Sequence, residues 1–357
     1  TMSRLINIGT VKGADAFVVE RLAGREELSR LFEYRVDLLS EHGDYKAEDI
    51  LGTNATIGIE MPGGADPRFL NGYISRFSVL GQVRTPAFKS SIGFRYQATI
   101  SPWLWFLTRT STCAIFQNKK MLEVIEEVLG RAAELKSLEK KVTGDTETRE
   151  YCVQYRETDF NFFSRLMEQA GLYYFFTHED GKHTLVLTDN PSSHVPLPGR
   201  PELRFSGSAL HDASLKTWVL NAEIQPGAYA IDDFDYNKPK TALLKVAPKE
   251  RSHKNAGFEL YDYPGEYVEP SWGTTYSKLR IEELYCQYEL SRGTGIERGV
   301  RAGYKFKLAD HPIADMNKEY LVVSHSFTAD NTLAHSGGGV GALFESSFAV
   351  IPAATQF

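Results

Sequence analysis

Phe32-Glu33-Tyr34-Arg35-Val36-Asp37-Leu38 alternates apolar and charged residues without a break. A side-chain period of two puts Phe32, Tyr34, Val36 and Leu38 on one face, so the stretch reads as a half-buried strand. On one side of it Phe17-Val18-Val19-Glu20-Arg21-Leu22 has a similar pattern, and on the other so does Ala55-Thr56-Ile57-Gly58-Ile59-Glu60. Met61-Pro62-Gly63-Gly64-Ala65-Asp66-Pro67 is a turn signal, because proline and glycine supply the bends that strands cannot. Beyond it Phe69-Leu70-Asn71-Gly72-Tyr73-Ile74-Ser75-Arg76-Phe77 and Gly93-Phe94-Arg95-Tyr96-Gln97-Ala98-Thr99-Ile100 give two more strands. Residues 1–108 are therefore expected to form a small antiparallel β-barrel, with a short helix near 45–51.

The pattern changes after Trp103. Met121, Leu122, Val124, Ile125, Val128, Leu129, Ala132 and Ala133 recur at three- and four-residue intervals, which predicts a helix opening near Asn118. A second helix follows, with Thr158 as its cap, Asp159 at its positive end, Phe162, Phe163, Leu166, Met167 and Ala170 on its apolar side, and Gly171 as its stop. Leu172-Tyr173-Tyr174-Phe175-Phe176-Thr177 and His183-Thr184-Leu185-Val186-Leu187-Thr188 flank an Asp-Gly turn and read as a hairpin. Residues 109–204 are thus expected to be an intermediate α+β domain, ending in a proline-rich linker over 191–201. Strands resume over 209–222, 228–234 and 320–327, and a helical pattern spans 274–290. The expected fold class is mainly β with α+β insertions: a second, similar barrel from 205–245 and 305–357, interrupted by a helix-containing insertion over 246–304. The glycine-rich stretch 336–341 reads as a hairpin tip.

The 357 residues are 42% hydrophobic and 24% charged, with a formal charge of −6. That balance is globular rather than disordered, and gives no bulk-charge reason to expect a nucleic-acid partner. Cys113, Cys152 and Cys286 are odd in number and far apart, which fits neither a disulfide framework nor a paired zinc site; free thiols are expected. No apolar run is long enough for a spanning helix, and the N-terminus lacks the charged-then-apolar pattern of a signal peptide.

His178-Glu179-Asp180-Gly181-Lys182-His183 resembles a zinc-protease motif at a glance. Its histidines straddle a turn instead of sitting one helical turn apart, so a solvated hairpin is expected. Asp232, Asp233 and Asp235 form an acidic stretch without the distal glutamate of a calcium loop. No nucleophile elbow, phosphate loop or dinucleotide fingerprint appears, since Gly337-Gly338-Gly339-Val340-Gly341 runs into Ala342 and opens no helix. Lys136, Lys140 and Lys141 interleave with Glu134 and Glu139 and read as a solvated helix end. Trp103-Leu104-Trp105-Phe106-Leu107 reads as core. No catalytic, cofactor-binding or metal-binding set is expected.

Ser101-Pro102-Trp103-Leu104-Trp105-Phe106-Leu107-Thr108-Arg109-Thr110, with Cys113-Ala114-Ile115-Phe116-Gln117-Asn118-Lys119 after it, resembles the VgrG family, the spike proteins of bacterial type VI secretion. Arg149-Glu150-Tyr151-Cys152-Val153-Gln154-Tyr155-Arg156-Glu157-Thr158-Asp159-Phe160-Asn161-Phe162 is similar to that family's most recognisable block, followed by Arg165, Gly171 and Tyr174. The resemblance implies a non-enzymatic hub like that of contractile phages: a homotrimer of two-barrel subunits adapting a hexameric tube of Hcp rings to a threefold needle. It also implies baseplate components and spike-borne effectors as partners, C-terminal spike domains absent from this chain, and delivery into target cells. Such a protein is made in the bacterial cytoplasm and exported by the type VI apparatus without a signal peptide. On this reading Pro102, Trp103, Trp105, Gln117, Tyr151, Gln154, Tyr155, Glu157, Phe160, Phe162, Arg165, Gly171 and Tyr174 mark folding and packing positions. A different reading is a glycan- or peptidoglycan-acting module of a cell-puncturing device, with the acidic stretch and exposed aromatics forming a cleft.

Overall fold

The computed structural model describes residues 5–132, 137–206, 215–249, 251–331 and 343–357. The first block holds β1 (Ile6–Gly9), β2 (Val18–Glu27), β3 (Glu33–Ser40), β4 (Asn54–Ile59), β5 (Arg68–Arg84) and β6 (Ile92–Ser101). All pair antiparallel, in the order β1-β4-β5-β6-β3-β2. The alternation of β3 is kept: Tyr34, Val36 and Leu38 are buried while Glu33 and Arg35 face solvent. Gly63 sits at φ 75° in the turn over Pro62–Gly64, a conformation glycine reaches without steric cost. The helix expected near 45–51 is a single 3₁₀ turn, Ala47–Asp49.

The middle block contains β7 (Ser111–Lys120), α1 (Met121–Gly130), β8 (Leu138–Lys141), β9 (Thr148–Thr158), α2 (Asp159–Gln169), β10 (Tyr173–Glu179) and β11 (Lys182–Thr188). The first helix opens at Met121 rather than near Asn118, because 111–120 is held as a strand against β9 and Asn118 takes a positive φ of 53°. Thr158 caps α2 as read, its hydroxyl accepting from the Asn161 N–H at 3.1 Å. The hairpin of β10 and β11 closes on the Asp-Gly turn, with His178 directly opposite His183.

The remaining elements are β12 (Glu202–Arg204), β13 (Leu215–Ala222), β14 (Ala228–Ile231), β15 (Lys245–Pro248), β16 (Glu259–Asp262), α3 (Pro270–Cys286), β17 (Glu289–Gly295), β18 (Lys305–Ala309), β19 (Glu319–Asp330) and β20 (Leu343–Pro352). The helix is displaced from the expected 274–290: proline at its first turn starts it at 270, and the chain re-enters the main sheet at β17. β17, which falls within the expected insertion 246–304, therefore belongs to the main sheet, whereas β14, expected in the second barrel, joins β15 and β16 in a three-stranded sheet packed on α3. The glycine-rich stretch 336–341, Glu134 and Lys136 lie outside the described residues.

β19 pairs with β2, so the first block continues as β19-β20-β17-β13, with β18 and β12 attached, into one sheet of 12 strands. Among the described residues the pairings trace a path from β1 to β13, a six-strand half followed by a second half. The mainly β, antiparallel character with inserted helices is as read. One apolar core runs through the first half and the middle block, from Val36 and Trp103 to Phe162 and Leu187, and a separate one built on Phe306, Tyr320 and Phe348 fills the second half. Each fully buried large side chain of this kind contributes about 2–3 kcal/mol.

Candidate functional site at the junction of the blocks

Two polar networks lie where the blocks meet. The first is organised by Asn71 on β5, which has no exposed surface. Its Nδ2 donates to Thr56 Oγ1 at 2.8 Å, its Oδ1 faces His183 Nδ1 at 2.8 Å, and its backbone N–H donates to His178 Nδ1 at 3.1 Å. The Trp103 N–H donates to His183 Nε2 at 2.9 Å, so the middle hairpin is stitched to the first half on both sides of the turn. A buried polar group costs free energy unless it is hydrogen-bonded, and these groups satisfy one another.

The second network centres on Glu26 of β2. Its carboxylate receives Arg68 Nη2 at 2.5 Å, Tyr34 Oη–H at 3.0 Å and the Ala302 N–H at 3.2 Å. Arg68 also donates to the Arg298 carbonyl at 3.0 Å, and Arg298 returns to the Glu60 carbonyl at 2.9 Å. Burial by itself would push the Glu26 carboxyl up, but the Arg68 guanidinium, with His325 beside it, holds it well below the usual carboxylate range. Strands β2, β3 and β5 thus grip the 298–302 segment of the second half through one buried ion pair.

The residues carrying the family resemblance fall into two sets. Pro102, Trp103, Gln154, Phe162 and Tyr174 are buried, and Trp105, Glu157, Phe160 and Gly171 are half-covered. Gln154 and Arg131 bind each other at 2.9 Å and both bind Asp159, which also accepts from Thr110 at 2.8 Å. Arg165 forks onto Glu157 at 2.8 Å and 3.1 Å and lies over the Phe162 ring. Gln117, Tyr151 and Tyr155 do not pack: they face solvent on the ribbon of β7 and β9, Tyr151 and Tyr155 being 54% and 64% exposed. The reason is the strand period, which turns Cys152 and Gln154 inward and sends their neighbours outward. With Ile115 they form an apolar outer face.

Around β16 Phe258, Leu260, Tyr261 and Tyr263 are also exposed. The acidic stretch binds its own backbone instead of opening a cleft: Asp232 accepts from Asp233 N–H, Asp233 from Glu266 N–H and Asp235 from Asn237 N–H. Among the described residues no three histidine, cysteine or acidic side chains group as metal ligands. A cavity of about 730 Å³ lies between α2 and α3, and among its charged lining residues Arg280 pairs with Glu283 and Glu282 with Lys249. Cys113, Cys152 and Cys286 are free thiols. Lys140 and Lys141 pair with Glu126 and Glu139.

Sequence reasoning missed Glu26, Arg68, Asn71 and His325. Glu26 sits in the charged run Arg25-Glu26-Glu27, which looks solvated until β19 covers it.

Residues 25–333 match the phage tail baseplate hub (GPD) family. Over 361 aligned residues the chain is 39% identical to the type VI secretion system spike protein VgrG1a of Pseudomonas aeruginosa, covering 100% of this chain and 55% of that protein. It is 38% identical to VgrG1c of the same organism, covering 99% of this chain and 48% of the relative. The chain thus spans about half the length of these curated relatives. In fold it resembles the E. coli c3393 protein, described as a component of the type VI secretion system similar to T4 tail proteins gp27 and gp5, with a TM-score of 0.67 at 18% identity, over 97% of this chain and 76% of that one.

Proposed function

Because the chain belongs to the phage tail baseplate hub family, we propose that it is the hub of a type VI secretion spike. In this role it adapts a tube of Hcp rings to a threefold needle, as a homotrimer seated on baseplate components and carrying effectors into the target cell. The observation that carries the reading is the 39% identity to the Pseudomonas spike protein across the whole of this chain. The geometry supports it. The blocks are locked together by one buried ion pair and side-chain networks, as a part that transmits thrust requires, while apolar side chains remain on outer faces where partners can seat. These residues act by holding shape and docking, with no chemistry of their own, and the protein leaves the cell through the apparatus itself.

Light scattering on a sizing column tests this directly, over a concentration series with and without purified Hcp rings. The expected result is a species at three times the 40.1 kDa chain mass that co-elutes with the rings. A chain that stays monomeric and never co-elutes, even as the full-length spike, would sink the proposal.

A further inference from the structure

Each joint between blocks contains histidine, and in three cases one ring nitrogen is used as an acceptor. His178 Nδ1 accepts from the Asn71 N–H, and its Nε2 meets Tyr34 Oη at 3.2 Å. His183 Nε2 accepts from the Trp103 N–H while its Nδ1 faces Asn71 Oδ1. His194, between the middle block and the second half, donates from Nδ1 to the Gly303 carbonyl at 2.7 Å and accepts at Nε2 from Tyr173 Oη at 3.0 Å. His325 on β19 faces the first half: its Nε2 contacts Ser346 Oγ at 2.9 Å and its Nδ1 lies 3.9 Å from Glu26 Oε2, beyond hydrogen-bond reach. A proton added to His183 Nε2 sets a donor against the Trp103 N–H, whereas at His178 Nδ1 the Asn71 carbonyl 3.2 Å away and at His194 Nε2 the Tyr173 oxygen can accept it, so at those two rings the cost is the burial of the charge.

We propose that these four histidines make the joints acid-sensitive, so that proton uptake separates the blocks while each half of the main sheet stays folded. The charged neighbours reinforce the effect. His178 is surrounded by Arg68 from β5, Arg301 from the second half, His183 from β11, and Glu26 and Tyr34 from β2 and β3. His325 faces Arg68 and Glu26. His194 has Lys305 and Lys141 nearby, and His183 has His178. Among the charged neighbours only Glu26 favours the charged imidazole, and Arg68 already occupies it; the Asn71 and Gly303 carbonyls offset part of the burial cost at His178 and His194.

Burial, helped by these cations, lowers His178, His194 and His325 to about 4, and burial with His178 lowers His183 to about 3. An opened joint frees the rings to titrate near their ordinary value of about 6.5. The closed joint therefore keeps its full stability above that value, and loses it as pH falls from about 6.5 towards 4. Each ring makes opening up to about tenfold more favourable per pH unit within that window.

The test is amide hydrogen exchange on the intact chain between pH 7 and pH 5, corrected for intrinsic rates, with imidazole NMR titration alongside. Joint amides at Asn71, Trp103, Leu197 and Lys305 are expected to lose protection more than tenfold, while Val36 and Ala98 inside the first half keep theirs. In His194→Gln, whose carboxamide can offer one donor and one acceptor without titrating, protection at Leu197 and Lys305 is expected to persist to pH 5. Imidazoles that titrate near 6.5 in the folded protein would overturn the proposal, as would unchanged joint amides or a simultaneous loss at Val36 and Ala98. Should His194→Gln fail to fold, the wild-type exchange pattern and titration decide alone.

Discussion

The joint around Glu26 and the ribbon of β7 and β9 are built on opposite rules. At the joint, charged and polar side chains are buried and hydrogen-bonded to one another, with Arg68 only 1% exposed. On the ribbon, Tyr151, Tyr155 and Ile115 are apolar or aromatic and open to solvent. Such an inversion of the usual burial preference costs free energy in both places. It assigns the joint to geometry, since hydrogen-bonded ion pairs tolerate little displacement, and the ribbon to contact, since aromatic rings gain most when a partner covers them.

The largest expected effect breaks the joint. Arg68→Met leaves the Glu26 carboxylate buried without its counter-ion, and is expected to lower stability by about 3–5 kcal/mol in denaturant unfolding. Adding Glu26→Gln should restore part of that loss; if the double variant is as unstable as the single one, the ion pair is not what holds the joint. A smaller effect tests local against long-range locking inside the middle block. Thr158→Ala removes the cap of α2 and is expected to cost about 1 kcal/mol, read as a shifted midpoint with unchanged slope. The smallest effect on stability sharpens the other side of the comparison. Tyr151→Ser with Tyr155→Ser should change unfolding by no more than about 0.5 kcal/mol, yet weaken self-association or ring binding in the sizing experiment. A large loss of stability would mean that the ribbon face is structural after all.

Much of this was legible in the chain itself where neighbours in sequence determine the outcome. The alternation of β3, the Thr158 cap and the Asp-Gly hairpin are local, and their periods and turn chemistry carry them. The hairpin reading also disposed of the apparent zinc motif, although His183 proved to be buried rather than solvated. The joints were not legible. Glu26 and Arg68 are separated by 42 positions and Asn71 and His183 by 112, and each looks like an ordinary polar residue on a strand. What decides their burial is the arrival of β10, β11 and β19, which no local pattern encodes. The start of α1 was misread for a similar reason: 111–120 becomes strand because β9 pairs with it, a tertiary override of weak propensity. The family block singled out Tyr151 and Tyr155 as packing positions, but neither the strand they lie on nor its outward face was legible.

The pairing of β2 with β19 also governs how the chain is made. Tyr34, Trp103 and Phe162 belong to one core most of whose members precede residue 200, while Phe327, Ala329 and Phe344 join it only with the last strands, since β19 begins at Glu319. For most of translation, then, β2 is an uncovered sheet margin on a nascent domain, and such margins recruit other chains. Its register opposite β19 runs over Arg21 to Glu27 and contains Arg21, Arg25, Glu26 and Glu27. That concentration of charge discourages premature pairing, and the same Glu26 becomes an internal anchor once the last strands arrive.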